Sequence, residues 1–298
     1  MISPPRASRL LLVDASPYLF RAFFSLPKSI RDGEGRPVNA VRGFADFLRR
    51  LLEEHPPTHL AVAFDDSLTT SFRNRIYSGY KSGREAPPPE LVGQLDDARE
   101  LAEALGCPTF REREYEADDV IATLCESLAG EVGEVLVVSS DKDLCQLVGE
   151  RVRLLDFARE KLYGPDEVRE KFGVRPGQIV ELLALAGDSV DDIPGVAGIG
   201  AKTAAALLAV FDDIETLYAG LDRVEELELR GAAAVRRRLE AGREEAFLSR
   251  RLAVAARDAP IEARLEELAY GGPRRARLRA LGERLGMRGL VERLGHGG

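Results

Sequence analysis

The amino-acid sequence predicts an α/β fold: a parallel sheet covered on both faces by helices, followed by an all-helical C-terminal part. Three observations carry this. Apolar runs of strand length alternate with periodic segments of helix length through the first half of the chain. The strand signal disappears after about Pro165. Three of the apolar runs end at aspartates, and open parallel sheets bind ligands outside the carboxyl ends of their strands.

In order, residues 9–13 (RLLLV) read as a short buried strand ending at Asp14. Val41, Phe44, Leu48, Leu51 and Leu52 mark one face of a helix. Residues 59–64 (HLAVAF) are a second strand, ending at Asp65. Helices follow over about 89–105 and 116–129. Residues 134–139 (EVLVVS) form a third strand with Asp141 just past its end, and 151–155 a fourth. Residues 178–186, 201–211 and the Arg-rich C-terminus read as helices. The expected division is an α/β domain over 1–170 and a helical subdomain over 171–298, consistent with a length of 298 residues. There is no low-complexity tract and no repeat of fixed period.

Composition narrows the class. Hydrophobic residues make up 45% of the chain, enough for a sizeable core. No run approaches the ~18 apolar residues of a membrane span. Residues 10–13 are too short for a signal-peptide core, so a soluble, cytoplasmic protein without a membrane partner is expected. Cys107, Cys125 and Cys145 form no disulfide framework, and with His55, His59 and His296 they show no zinc spacing. Any metal is therefore bound by oxygen, which favours Mg²⁺ or Mn²⁺. The net charge is −8, yet from Arg230 onward 16 Arg face 9 Asp or Glu. That asymmetry hints at a polyanionic partner, although Arg-rich helices are commonly just solvated faces.

Four acidic groups stand out. Asp14, Asp65, and Asp141 with Asp143 follow strands; Glu116, Asp118 and Asp119 open a helix; Asp188 and Asp191 follow an apolar helix. If they converge, about nine carboxylates share one site, and like charges so crowded need cations. Two divalent ions roughly 3.5–4 Å apart are the usual answer, and they suit phosphodiester hydrolysis. Singly, each group has a plainer reading: Glu116, Asp118 and Asp119 as helix-capping residues, Asp14 and Asp65 as turn residues. Asp96-Asp97 and Asp212-Asp213 read as structural.

Residues 66–90 join a strand to a helix through a long polar stretch ending in Pro87-Pro88-Pro89, far beyond the usual ~4–6 residues. Within it, YSGYKSGR (77–84) suggests a phosphate clamp: Lys81 and Arg84 against the scissile phosphate, Arg73 on a neighbouring one. Tyr77 or Tyr80 could stack on an unpaired base. A solvated loop is the plainer alternative. Residues 194–203 (PGVAGIGAKT) place Gly195, Gly198 and Gly200 before a helix starting near Ala201, with Lys202 and Thr203 in its first turn. Such a helix-hairpin-helix binds duplex backbone without reading sequence. An ordinary αα-hairpin has the same glycine turn.

Together these segments resemble the 5′-3′ exonuclease and flap endonuclease family, which includes the N-terminal nuclease domain of bacterial DNA polymerase I. The matching stretches are VDAS at Asp14, FDDSLTTSFRNRIYSGYKSGR from Phe64, EYEADDVIATL from Glu114, VVSSDKDLCQL from Val137 and GDSVDDIPGVAGIGAKTA from Gly187. They run in family order over residues 9–211. The resemblance implies a PIN-like 5′ nuclease core with a helical arch over about 66–90 and a C-terminal helix-hairpin-helix subdomain. It implies metal-site roles for Asp14, Asp65, Glu116, Asp118, Asp119, Asp141, Asp143, Asp188 and Asp191. Of these, Asp14, Asp119 and Asp141, with Lys81 and Arg84, form the expected catalytic set. It implies DNA contacts by Arg73, Tyr80, Lys81, Arg84, Gly198, Gly200, Lys202 and Thr203, and a hairpin that in relatives can also hold K⁺. The implied substrate is DNA with a 5′ end or 5′ flap, handled by a monomer with two or more divalent ions. Many relatives have glycine where this chain has Ala15, and Asp66 and Asp192 are extra acids beside expected ligands. The chain reads as a free-standing nuclease or as part of something longer. A structure-specific DNA-binding protein with little catalysis is the main alternative. A two-metal phosphohydrolase acting on RNA or on a small ester is another.

Overall fold

The computed structural model describes residues 8–67, 70–289 and 293. Leu68 and Thr69 of the basic stretch, and His296, lie outside the described residues.

The first half alternates as expected: β1 (Arg9–Asp14), α1 (Ser16–Ser25), α2 (Asn39–Glu54), β2 (His59–Ala63), α3 (Arg73–Ile76), α4 (Pro89–Ala104), β3 (Thr109–Phe110), α5 (Ala117–Leu128), β4 (Glu134–Val138), β5 (Val152–Asp156), β6 (Lys161–Tyr163) and α6 (Pro165–Phe172). The six strands form one sheet in the order β3-β2-β1-β4-β5-β6, parallel except for the last pair. Leu12 of β1 sits between Ala61 of β2 and Val137 of β4.

This pairing explains why the strands read as continuous apolar runs. Leu10, Leu12, Val135, Val137 and Leu154 pack on one face, with α5. Leu11, Val13, Leu60, Val62, Leu136 and Val138 pack on the other, with α1, α2 and α4. A strand buried on both faces loses the polar alternation of a half-exposed one. Chain order reverses around β1, between β2 and β4, so the crevice of this sheet opens at the carboxyl ends of β1 and β4.

The second half holds α7 (Ile179–Ala186), α8 (Ala201–Leu208), α9 (Ile214–Ala219), α10 (Ala232–Ala241), α11 (Arg243–Ala253) and α12 (Arg275–Arg284). The apolar cluster on the α5 face continues into it through Leu185, Leu207, Leu217 and Leu239. The boundary expected at 170/171 falls inside α6. α12 turns back to α4, burying Leu278, Leu281, Leu285 and Met287 in the opposite cluster. There Arg277 pairs with Glu103, and Arg284 with Asp97 and Glu100.

Three differences from the sequence reading have simple causes. β3 and β6 are two and three residues long, too short to leave a periodic signal. α1 was not anticipated, because Phe20 and Phe24 blur its buried face of Tyr18, Leu19, Ala22 and Phe23. Before α4 begins at Pro89, the stretch at 66–90 contains one helix of four residues among the described ones, and it packs against the second half: the Lys81 N–H donates to the Asp191 carbonyl at 3.0 Å.

Candidate active site at the carboxyl edge of the sheet

The carboxyl ends of β1, β2 and β4 and the start of α5 border one cleft of about 410 Å³, lined by Asp14, Asp65, Lys81, Glu116, Asp118 and Asp141, with Arg84 at its side. Backbone geometry puts them there. Asp14 is the last residue of β1, Asp65 lies two past β2 and Asp141 three past β4, while Glu116 and Asp118 flank the first residue of α5.

Four of the carboxylates are oriented by hydrogen-bond donors. The Ser139 hydroxyl donates to Asp14 Oδ2 at 2.7 Å, and the Ser16 N–H to Oδ1 at 3.2 Å. The Ser16 hydroxyl and the Ala117 N–H (2.8 Å) hold Asp65. The Asp143 N–H donates to Asp141 Oδ1 at 2.9 Å, and the Val190 N–H to Asp188 Oδ1 at 2.7 Å.

The electrostatics are those of crowded anions. Desolvation, then repulsion from Asp65 and Asp141, pushes Asp14 up to about 8. Desolvation with Asp141, Asp188 and Asp191 does the same to Asp143, also to about 8. Asp65, Asp118 and Asp141 are raised as well, chiefly by desolvation. Glu116 moves the other way: desolvation would raise it, but Lys81 and Arg73 outweigh that and lower it. Enclosed carboxylates that suppress one another's ionisation are a donor set that fits hard divalent cations, which take oxygen ligands. Among the described residues no three His, Cys, Asp or Glu side chains stand in a geometry that would hold one ion.

The basic loop meets these acids directly. Lys81 Nζ contacts Glu116 and lies 3.5 Å from Asp191 Oδ2, while Arg84 pairs with Asp191. Lys81 and, across from it, Asp192 adopt left-handed backbone conformations (φ 54° and 53°), and the Gly83 N–H donates to Asp192 Oδ2 at 2.7 Å. Non-glycine residues in that region are uncommon and collect at functional contacts.

Three of the expected site residues are buried away from the open cleft. Asp119 does not line the cleft and is 0% exposed; its carboxylate is engaged by Arg73 and by two backbone N–H groups. Arg73, 3% exposed, is committed to that pair and is not presented to a phosphate. Tyr80 is 4% exposed with its hydroxyl donating to Glu116 at 2.8 Å, so its ring is not open to a base. In each case the sequence showed a charged or aromatic residue in a polar loop or helix start, but not that tertiary packing buries it.

At the glycine hairpin, Gly200 precedes α8, whose first N–H groups lack helical partners, and Lys202 is exposed beside them with Thr203 following. The exposed Gly198 (φ 78°) accepts a hydrogen bond on its carbonyl from Arg238 at 3.1 Å. Sequence reasoning missed Ser16, Ser139 and Arg238. The serines stand two residues after Asp14 and two before Asp141, an Asx- or ST-turn spacing that was readable. Arg238 had no local signal.

A cleft of this composition suits the metal-dependent nucleases as a class, and comparisons with known proteins narrow it. Residues 9–173 match the family model described as the 5′-3′ exonuclease N-terminal resolvase-like domain, and residues 174–276 the 5′-3′ exonuclease C-terminal SAM fold. A 5′-3′ exonuclease of Buchnera aphidicola subsp. Schizaphis graminum is 34% identical over 240 residues, 80% of this chain and 83% of that one. The chain belongs to the 5′-3′ exonuclease family. DNA polymerase I of Rhizobium leguminosarum is 42% identical over 232 residues, 76% of this chain but 23% of the polymerase. The chain thus spans less than a third of the curated polymerases it matches (22–27% of their length). The fold is that of T5 5′-exonuclease, solved with bound zinc, at a TM-score of 0.68 and 21% identity over 96% of this chain and 97% of that one. It is equally that of the T5 flap endonuclease in a pseudo-enzyme–product complex with DNA and metal ions, at 0.68 and 22% over 96% and 97%.

Proposed function

We propose that this chain hydrolyses DNA phosphodiesters from 5′ ends and at 5′ flaps, with Mg²⁺ or Mn²⁺ as the working ion. The observation that carries the reading is the cleft itself: Asp14, Asp65, Asp118 and Asp141 enclosed together and mutually repelling, with Lys81 and Arg84 beside them. The names of the relatives, a 5′-3′ exonuclease and a flap endonuclease bound to DNA, support the substrate.

On binding, one ion would draw on Asp14, Asp65, Glu116 and Asp118 and a second on Asp143, Asp188 and Asp191, with Asp141 electrostatically joined to both sets. Bound divalent ions supply Lewis acidity, lowering the pKa of water and offsetting charge on the phosphate oxygens. Ser16 and Ser139 hold Asp65 and Asp14 at the cleft. Lys81 and Arg84, paired with Glu116 and Asp191 in the DNA-free chain, exchange those carboxylates for phosphate oxygens as the strand enters. Lys202, Thr203 and the backbone around Gly198 and Gly200 hold the duplex portion. A K⁺ at this hairpin would share the Gly198 carbonyl with Arg238. The working unit is a monomer in the cytoplasm; among the described residues no helix is long and apolar enough to cross a membrane.

The test is a 5′-labelled flap duplex incubated with the chain in Mg²⁺ and in EDTA, beside Asp141→Ala. A short 5′ product that needs Mg²⁺ and vanishes in the variant is expected. Tight flap binding with no product in Mg²⁺ or Mn²⁺ would leave a binding protein instead. Lys81→Ala should lower the single-turnover rate by about 10²–10³-fold, the scale of one lost transition-state donor, and weaken flap affinity far less. An unchanged rate would remove Lys81 from the chemistry.

A further inference from the structure

The Arg73 guanidinium is buried with every one of its five N–H donors occupied. Nε donates to the Leu252 carbonyl at 2.8 Å. Nη1 donates to Asp119 Oδ2 at 2.8 Å and to Glu116 Oε2 at 3.1 Å. Nη2 donates to Asp119 Oδ1 at 2.7 Å and to the Val254 carbonyl at 2.8 Å. Asp119 is equally full. Oδ1 accepts from Arg73 and from the Ala256 N–H at 2.8 Å; Oδ2 accepts from Arg73 and from the Glu116 N–H at 3.0 Å. A carboxylate offers about four lone-pair sites, so none is left for a metal ion.

The partners lie on three separate elements. Arg73 begins α3 in the basic loop, Asp119 is in the first turn of α5 beside Glu116, and Leu252 and Val254 are at the end of α11. α11 in turn holds the glycine hairpin, since the buried Ser249 hydroxyl accepts from the Gly195 N–H at 2.9 Å. The carbonyls at a helix C-terminus lack helical donors and carry partial negative charge, which a guanidinium satisfies.

We propose that Arg73 and Asp119 are a positioning couple for the reaction assigned above: they touch neither metal nor DNA, and they lock the basic loop and the Glu116-bearing start of α5 to the helix that carries the hairpin. The inference rests on the proposed nuclease function only for its kinetic consequence. The planar fork makes the couple specific to arginine, because an ammonium cannot make two parallel bonds to one carboxylate while bridging two carbonyls.

The experiment is a double-mutant cycle on the full chain with Asp119→Asn and Arg73→Lys, with Arg73→Gln as the charge-removing variant and as the replacement should the lysine variant prove unfolded by circular dichroism. Mn²⁺ binding is followed by electron paramagnetic resonance, with Asp141→Asn as the ligand-loss control. Flap binding in Ca²⁺ is followed as a function of salt, and thermal melting and single-turnover cleavage are read on the same proteins. Both single variants should slow cleavage by about tenfold or more, with the double variant no slower than the worse single, as expected for groups that act as one unit. Mn²⁺ affinity of Asp119→Asn should stay within about twofold of the parent, and the salt slope of Arg73→Gln should be unchanged, where loss of a phosphate contact lowers it by about one. A loss of Mn²⁺ affinity in Asp119→Asn matching that of Asp141→Asn would make Asp119 a ligand and overturn the proposal. So would a reduced salt slope for Arg73→Gln, or independent effects on melting. If the parent chain cleaves no DNA, the functional reading fails, while the melting cycle and the Mn²⁺ titration still decide the couple.

Discussion

Asp14 and Asp143 are pushed up to about 8 for the same reason, removal from water beside other anions. In an unfolded chain both would ionise near their ordinary 3.8. Folding therefore takes up protons between 3.8 and about 8, and stability of the metal-free chain falls as pH rises through that window. Divalent ions compete with those protons, so Mg²⁺ should raise the melting temperature more at pH 8 than at pH 5. Melts in EDTA and in Mg²⁺ at the two pH values check both signs; a metal-free melting temperature that climbs from pH 5 to pH 8 would contradict them. At this scale the sequence was readable where a motif carried the residue and silent where packing did. VDAS and SSDKD pointed to Asp14 and Asp141, and both stand at the cleft. EADD pointed equally to Asp118 and Asp119, yet one turns to the cleft and the other into a buried ion pair, a distinction set by a residue 46 positions away.

The elements that position the site differ in how they announce themselves. Four strands were legible because a strand covered on both faces is an unbroken apolar run, whereas β3 and β6 exist only through their neighbours. The turn between α7 and α8 is legible through its glycines, and the structure shows why one of them is obligatory. Gly195 has φ 61°, and a Cβ there would stand 2.3 Å from the Gly187 nitrogen. Gly195→Ala should destabilise the chain by about 1–3 kcal/mol, the cost of a strained backbone conformation, and weaken duplex binding as the turn shifts. Urea unfolding measures the first part; a variant as stable as the parent would mean the turn relaxes freely. By contrast, the length and polarity of residues 66–90 signalled an unusual connection without showing that it lies down on the second half. That contact is made by a backbone N–H, a backbone carbonyl and long charged side chains, none of which leaves a pattern in sequence.

For the molecule as a whole, the two halves are joined more closely than a division near residue 170 suggests. One apolar cluster runs from β1 to α10, and the chain then returns across α5 to reach α4. The parent family model ends at residue 276, just as α12 begins. α12 is nonetheless built into the core, with Leu281 2% exposed against the α4 side of the sheet. Leu281→Ala should cost about 2–5 kcal/mol, the range for removing a buried leucine side chain. It should lower the unfolding midpoint in urea while leaving flap affinity per folded molecule unchanged. A loss below about 1 kcal/mol would show that α12 packs too loosely to count as core. The sequence showed α12 only as an Arg-rich helix. Arg277 and Arg284 pair with acids on α4, so the charge asymmetry of the C-terminal part overstates the basic surface available to a polyanion.

The contact between the basic loop and the turn at residues 188–193 also carries its own clock. The Lys81 amide proton is committed to the Asp191 carbonyl and the Gly83 amide proton to the Asp192 carboxylate. Neither can be replaced by deuterium from solvent until the loop lifts from the turn, so their exchange rates count the opening events through which a strand would have to pass. Cations that draw Glu116 and Asp191 away from Lys81 and Arg84 should shorten those protection times, and DNA held beneath the loop should lengthen them.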